Sequence, residues 1–216
     1  MSSNGGLTIR IVVGSAILLS LAIYDIRQHG RAATRWREYL FLLAGVIAAL
    51  IYGIANDQIT SRISWEYFFY GKGLDAILGP TVPPDFGRLH IAAVMVGLNA
   101  TWWVGLIVAA ALLWANNPSP HLPRLTYVRL LIALPIVFVT TGICAILGGL
   151  AGWLGWLDNS SEDLSGIVRD NLFRPRTFLT VYGIHLGGYA GAVVGALVAF
   201  LWIRFRRARD RQAPSE

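Results

Sequence analysis

The side chains best suited to acid–base or metal chemistry in this chain are Asp57, Glu66, His90 and His185. Two carboxylates and two imidazoles can ligate zinc or iron, or pass a proton to and from a bound molecule. They come from three separate regions and match no HExxH or CxxC spacing, so they act together only if the fold gathers them. Spacing adds some direction: His185 and Tyr189 stand four apart, and His90 shares a helical face with Gly97 and Thr101. A second set, Asn99, Trp102, Trp103 and Tyr189, reads either as the wall of a pocket for a flat or lipid-like ligand or as large side chains packed opposite small ones.

The elements that must position these groups are membrane helices. The chain has 216 residues, 55% hydrophobic and only 14% charged, with 23 glycines and 8 tryptophans. A soluble domain carries roughly 25% charge, and a disordered chain is poor in apolar residues, so both classes are excluded. Five stretches are long and apolar enough to cross a bilayer: about 7–26, 39–55, 89–115, 130–157 and 177–203. Each must satisfy its backbone hydrogen bonds internally, which makes it a helix. The expected fold is all-α, a polytopic transmembrane helical bundle forming one integral-membrane domain over 1–216. A short interfacial helix is expected in the second loop, where Trp65 to Tyr70 is strongly aromatic. Arg62 and Glu66, four apart, can pair there.

Charge sets the orientation. Of the 18 basic residues 17 are arginine, Lys72 being the only lysine, and they cluster just beyond the apolar stretches. That is where arginines meet lipid headgroups, so the +6 charge does not mark a nucleic-acid binder. The first loop, third loop and tail together carry eleven arginines, against seven basic residues on the other face. The first face is therefore expected to be cytoplasmic, with the N-terminus outside and the C-terminus inside. The arginines after the first stretch, Arg27 to Arg37, resist translocation and mark it as a retained span. Cys144 lies alone inside an apolar run.

Small residues mark faces for helix contact. In the fifth span Gly183, Gly187, Gly191 and Gly195 recur every four residues, and the second and third spans carry Gly45, Ala49, Gly53 and Ala93, Gly97, Thr101, Gly105. Such faces pack within one chain, or against a membrane-protein partner or a second copy.

The run Asp57-Gln58-Ile59-Thr60, then Glu66-Tyr67-Phe68, with Ala100-Thr101-Trp102-Trp103-Val104-Gly105 later, resembles a group of small bacterial integral-membrane proteins of unassigned function. The resemblance spans the second to fifth apolar stretches. The family pattern has histidine before the aspartate; Asn56 stands there instead, which removes one metal ligand. Three function classes remain: a non-enzymatic accessory or assembly component, slightly favoured; an outer-leaflet, metal-dependent enzyme acting on a lipid or quinone-like substrate through Asp57, Glu66, His90 and His185; and a small transporter or channel.

Overall fold

The computed structural model describes residues 3–117, 119, 122–158 and 172–212. His121 and the acidic stretch around Glu162 lie outside them. The fold is all-α, and five of its helical stretches are long and apolar enough to span a membrane. In order they are α1 (Ser3–His29), α2 (Trp36–Ile63), a π-helical turn (Tyr67–Gly71), α3 (Asp75–Leu78), α4 (Phe86–Ala115), α5 (Tyr127–Leu131), α6 (Ala133–Trp153) and α7 (Pro175–Gln212).

Several helix limits differ from the expected spans, each for a local reason. Helix α2 does not stop near Ala55 but runs on to Ile63. Its polar end stays helical because Asp57, Thr60, Ser61 and Ser64, spaced along one stripe, are turned into the protein, leaving Ile59 and Ile63 exposed. Asp57 is thus a residue of a candidate span rather than of a loop. The fourth span is two helices, α5 and α6, broken at Ile132. Pro135 lacks the N–H that would reach the Leu131 carbonyl, and its ring crowds that carbonyl. Helix α6 ends early because Gly155, at φ +88°, turns the chain. The Trp156 N–H then reaches the Ala151 carbonyl at 3.0 Å and the Gly155 N–H that of Gly152 at 3.3 Å, the hydrogen-bond pattern of a Schellman cap.

The helices group into two compact units. The first comprises described residues of Leu50–Thr101 and Thr141–Gly191. Its core is aromatic: Tyr67, Phe68 and Phe69 of the π turn are buried with Leu74, Leu89, Phe178 and Val181. The aromatic run expected along the headgroups therefore points mainly into protein. Close helix approach depends on glycine here. A Cβ built on Gly183 would collide with the Gly148 carbonyl, one on Gly187 with that of Cys144, and one on Gly53 would lie 2.6 Å from the Gly97 oxygen.

The second unit comprises described residues of Ser2–Ala49, Trp102–Thr140 and Ala192–Glu216. Phe41, Leu112, Leu130, Val137, Ala199 and Ile203 fill its core. A Cβ on Gly45 would come 2.6 Å from that of Ala109, and one on Gly195 2.9 Å from the Val137 backbone. Arg207 organises the chain between α4 and α5. It is fully buried, and its guanidinium donates to the carbonyls of Pro123 (2.8 Å), Ala115 (2.5 Å), Asn117 (2.7 Å) and Leu122 (2.8 Å). Asn116 completes the arrangement by pairing its side-chain amide with both backbone groups of Leu125.

If close approach is what these glycines provide, Gly183→Ala lowers stability by about 1–3 kcal/mol, the usual range for overpacking. Gly142 has open space around its Cβ direction, so Gly142→Ala is neutral or stabilising, alanine being the better helix former. Thermal unfolding of both variants in mild detergent checks the contrast; equal losses would refute it.

Candidate functional site

The first unit concentrates its polar side chains around Asp57. This residue is only 2% exposed, on the inward stripe of α2, and its two oxygens have different surroundings. Oδ1 accepts from the Asn56 amide at 3.2 Å and lies 3.7 Å from His185 Nε2, close enough for charge interaction but too long for a hydrogen bond. Oδ2 is buried with no hydrogen-bond partner among the described residues. A carboxylate oxygen in such a place is costly unless a donor or a positive charge stands against it.

His185, nearly three turns into α7, is held on three sides. Its ring stacks on Tyr67 at a centroid distance of 4.8 Å and 20° between planes, and meets the edge of Phe68 at 6.0 Å. Nε2 lies 3.4 Å from Thr60 Oγ1. The Thr60 hydroxyl donates to the Asn56 carbonyl at 2.8 Å, so its oxygen is left to accept from the imidazole. Tyr52, Tyr67 and Tyr189 all lie within electrostatic reach of Asp57.

Lys72, beyond the π turn, supplies a positive charge that acts on both Asp57 and His185. As a whole residue it is exposed, but its ammonium lies 5.2 Å from the Tyr67 ring centroid. Desolvation there holds its pKa below the usual lysine range, and the Asp57 charge opposes that shift. Burial is also the main cause that pushes the Tyr67 phenol above its usual range, so Tyr67 keeps its proton and remains a donor.

The other two predicted residues do different work. Glu66 is 1% exposed and accepts the backbone N–H groups of Phe173 (2.5 Å) and Arg174 (3.1 Å). Those groups immediately precede Pro175, the first residue of α7, so the carboxylate caps that helix and meets the positive end of its dipole. It does not pair with Arg62, which bonds Gln58 instead. His90 pairs through Nδ1 with Ser61 Oγ at 3.0 Å, while its backbone carbonyl accepts from Gln58 at 2.7 Å. The structure thus brings Asp57 and His185 together and commits Glu66 and His90 elsewhere. Among the described residues no group of three or more His, Cys, Asp or Glu side chains is placed to hold a metal ion.

Of the expected pocket wall, Asn99 is exposed, Trp103 is 45% and Tyr189 40% exposed, and Trp102 lines a cavity with Arg10, Leu43 and Val46. Thr60, Tyr67 and Lys72, which the sequence did not offer as candidate site residues, stand around Asp57 and His185. A signal for Thr60 was present, since Asp57, Thr60, Ser61 and Ser64 at steps of three and four form a helical polar stripe.

Capping by Glu66 has a measurable consequence. Glu66→Ala orphans two N–H groups and lowers stability by about 1–3 kcal/mol, whereas Glu66→Gln, which keeps one carbonyl acceptor, costs less. Thermal melts of the two variants test this; equal stability with the unsubstituted protein would remove the capping role. Compared with protein-family models, with curated proteins and with solved structures, the chain finds no match, so the motif resemblance carries no family assignment.

Proposed function

We propose that this integral-membrane protein binds the polar head of a membrane-dissolved molecule at Asp57 and His185, with a hydroxyl or ammonium on that head donating to Asp57 Oδ2. A lipid or a quinol-like molecule has this chemistry. The single observation that carries the reading is the buried Oδ2 without a partner, on a carboxylate whose other oxygen faces His185. In a low-dielectric setting a vacant acceptor of this kind is a strong recognition element. The imidazole beside it is the second acid–base group, and the two together suit proton transfer to or from a bound head. The arginine distribution supports an orientation in which the loop bearing Lys72 faces outward from a bacterial inner membrane, so the ligand arrives through the outer leaflet.

Service as an assembly component through the glycine faces draws less support. Gly45, Gly53, Gly183 and Gly187 already meet neighbouring helices of the same chain, so a partner helix would need another face.

The test compares stability with ligand response. Asp57→Asn removes the charge from a buried side chain whose Oδ2 meets no donor among the described residues, so its melting temperature stays level or rises. Phosphatidylethanolamine or a short-chain quinol stabilises the unsubstituted protein against thermal unfolding and has no effect on Asp57→Asn. Phosphatidylcholine, whose quaternary ammonium has no N–H to donate, stabilises neither. Destabilisation by Asp57→Asn with an unchanged ligand response would make Asp57 a structural residue and end this reading.

A further inference from the structure

The second unit carries a different recognition surface. A cavity of about 260 Å³ is lined by Leu125, Arg129, Ile132, Trp202, Arg206 and Asp210. Its two cations differ in their partners among the described residues. Arg129 donates to Asp210 at 2.9 Å, which neutralises that pair. The Arg206 guanidinium lies 5.5 Å from the Trp202 ring centroid, and among the described residues no carboxylate pairs with it. Interaction with the ring face leaves the in-plane N–H donors of the guanidinium free, the geometry that grips a phosphate.

The rest of the lining is apolar. Leu125 is buried, Ile132 is exposed, and the Trp202 indole stands at the end of the apolar part of α7, where Arg204, Arg206, Arg209 and Arg211 follow. A free inorganic anion has no use for such a wall, but an acyl chain does. Basic residues at the end of a membrane helix also draw anionic lipids by charge. We infer that this cavity binds the phosphate headgroup of an anionic phospholipid, with Arg206 and Arg129 on the phosphate and Ile132 and Trp202 against the glycerol and upper chains. The site is independent of the Asp57 reading, and its test involves neither Asp57 nor His185.

The experiment measures lipid retention by native mass spectrometry and thermal stabilisation in mild detergent, with phosphatidylglycerol, phosphatidylcholine and inorganic phosphate as separate probes. Phosphatidylglycerol is retained and phosphatidylcholine is not. Arg206→Gln, at an exposed position that the core does not need, weakens phosphatidylglycerol binding about fivefold, the share of one arginine at an anionic surface. Arg129→Gln weakens it further, because Asp210 is then unpaired and repels the phosphate. Arg211→Gln, outside the cavity, leaves binding unchanged. Equal loss in Arg211→Gln and Arg206→Gln would reduce the effect to diffuse attraction and overturn the site. Displacement of the lipid by millimolar inorganic phosphate would make it a free-anion site and overturn the lipid assignment.

Discussion

Inside a bilayer no water is available to satisfy a polar group, so each one must find its partner within the protein or carry a high cost. This chain meets that constraint with very few charged residues, most of them at helix ends. Asp25 accepts the Trp36 N–H at the start of α2, Asp85 accepts the Arg88 N–H at the start of α4, and Glu66 accepts two N–H groups ahead of α7. Arg207 does the converse job at the end of α4, donating to the Ala115 carbonyl and to three carbonyls of the following loop. In each case a formal charge stands where helix geometry leaves backbone groups unpaired. Glycine serves the apolar remainder by letting helices meet at backbone distance.

Asp57 is where this economy fails. It is as deeply buried as Glu66, yet it caps nothing, and one of its oxygens faces no donor among the described residues. Its surroundings are nonetheless closely tied together. His185 is clamped between Thr60 and the rings of Tyr67 and Phe68, the π turn that carries those rings belongs to the aromatic core, and Glu66 ties the same turn to the start of α7. A vacant acceptor in a mobile region would have little meaning. One held in place by its neighbours suits the proposed recognition of a donor from outside the chain.

The membrane architecture was legible in the sequence because hydropathy over a span-length window is a bulk property that needs no knowledge of partners. The site was legible only in part. Asp57 and His185 stood out as ionisable residues near apolar runs, but hydropathy ended the second span at the polar run Asn56-Asp57-Gln58 and placed Asp57 in a loop. The helical stripe of Asp57, Thr60, Ser61 and Ser64 contained the correction, since inward polar residues lower mean hydropathy without ending a helix. Glu66 could not be assigned, because its partners lie more than 100 residues away and are backbone groups, which leave no trace in side-chain type. Arg207 was one arginine among five in the tail. Only its register with Gly195, Ala199 and Ile203, four residues apart along the buried face of α7, separates it from its exposed neighbours.

A high-resolution experimental structure of the protein extracted with its native lipids tests the central claim most directly, through the density around Asp57 Oδ2. The account predicts a non-protein hydroxyl or ammonium group within hydrogen-bond distance of that oxygen, in a molecule whose apolar part extends into the lipid. Oδ2 bonded to a protein donor such as Lys72 Nζ, or packed against apolar atoms with no ligand beside it, would contradict the claim and leave Asp57 as one more structural acid.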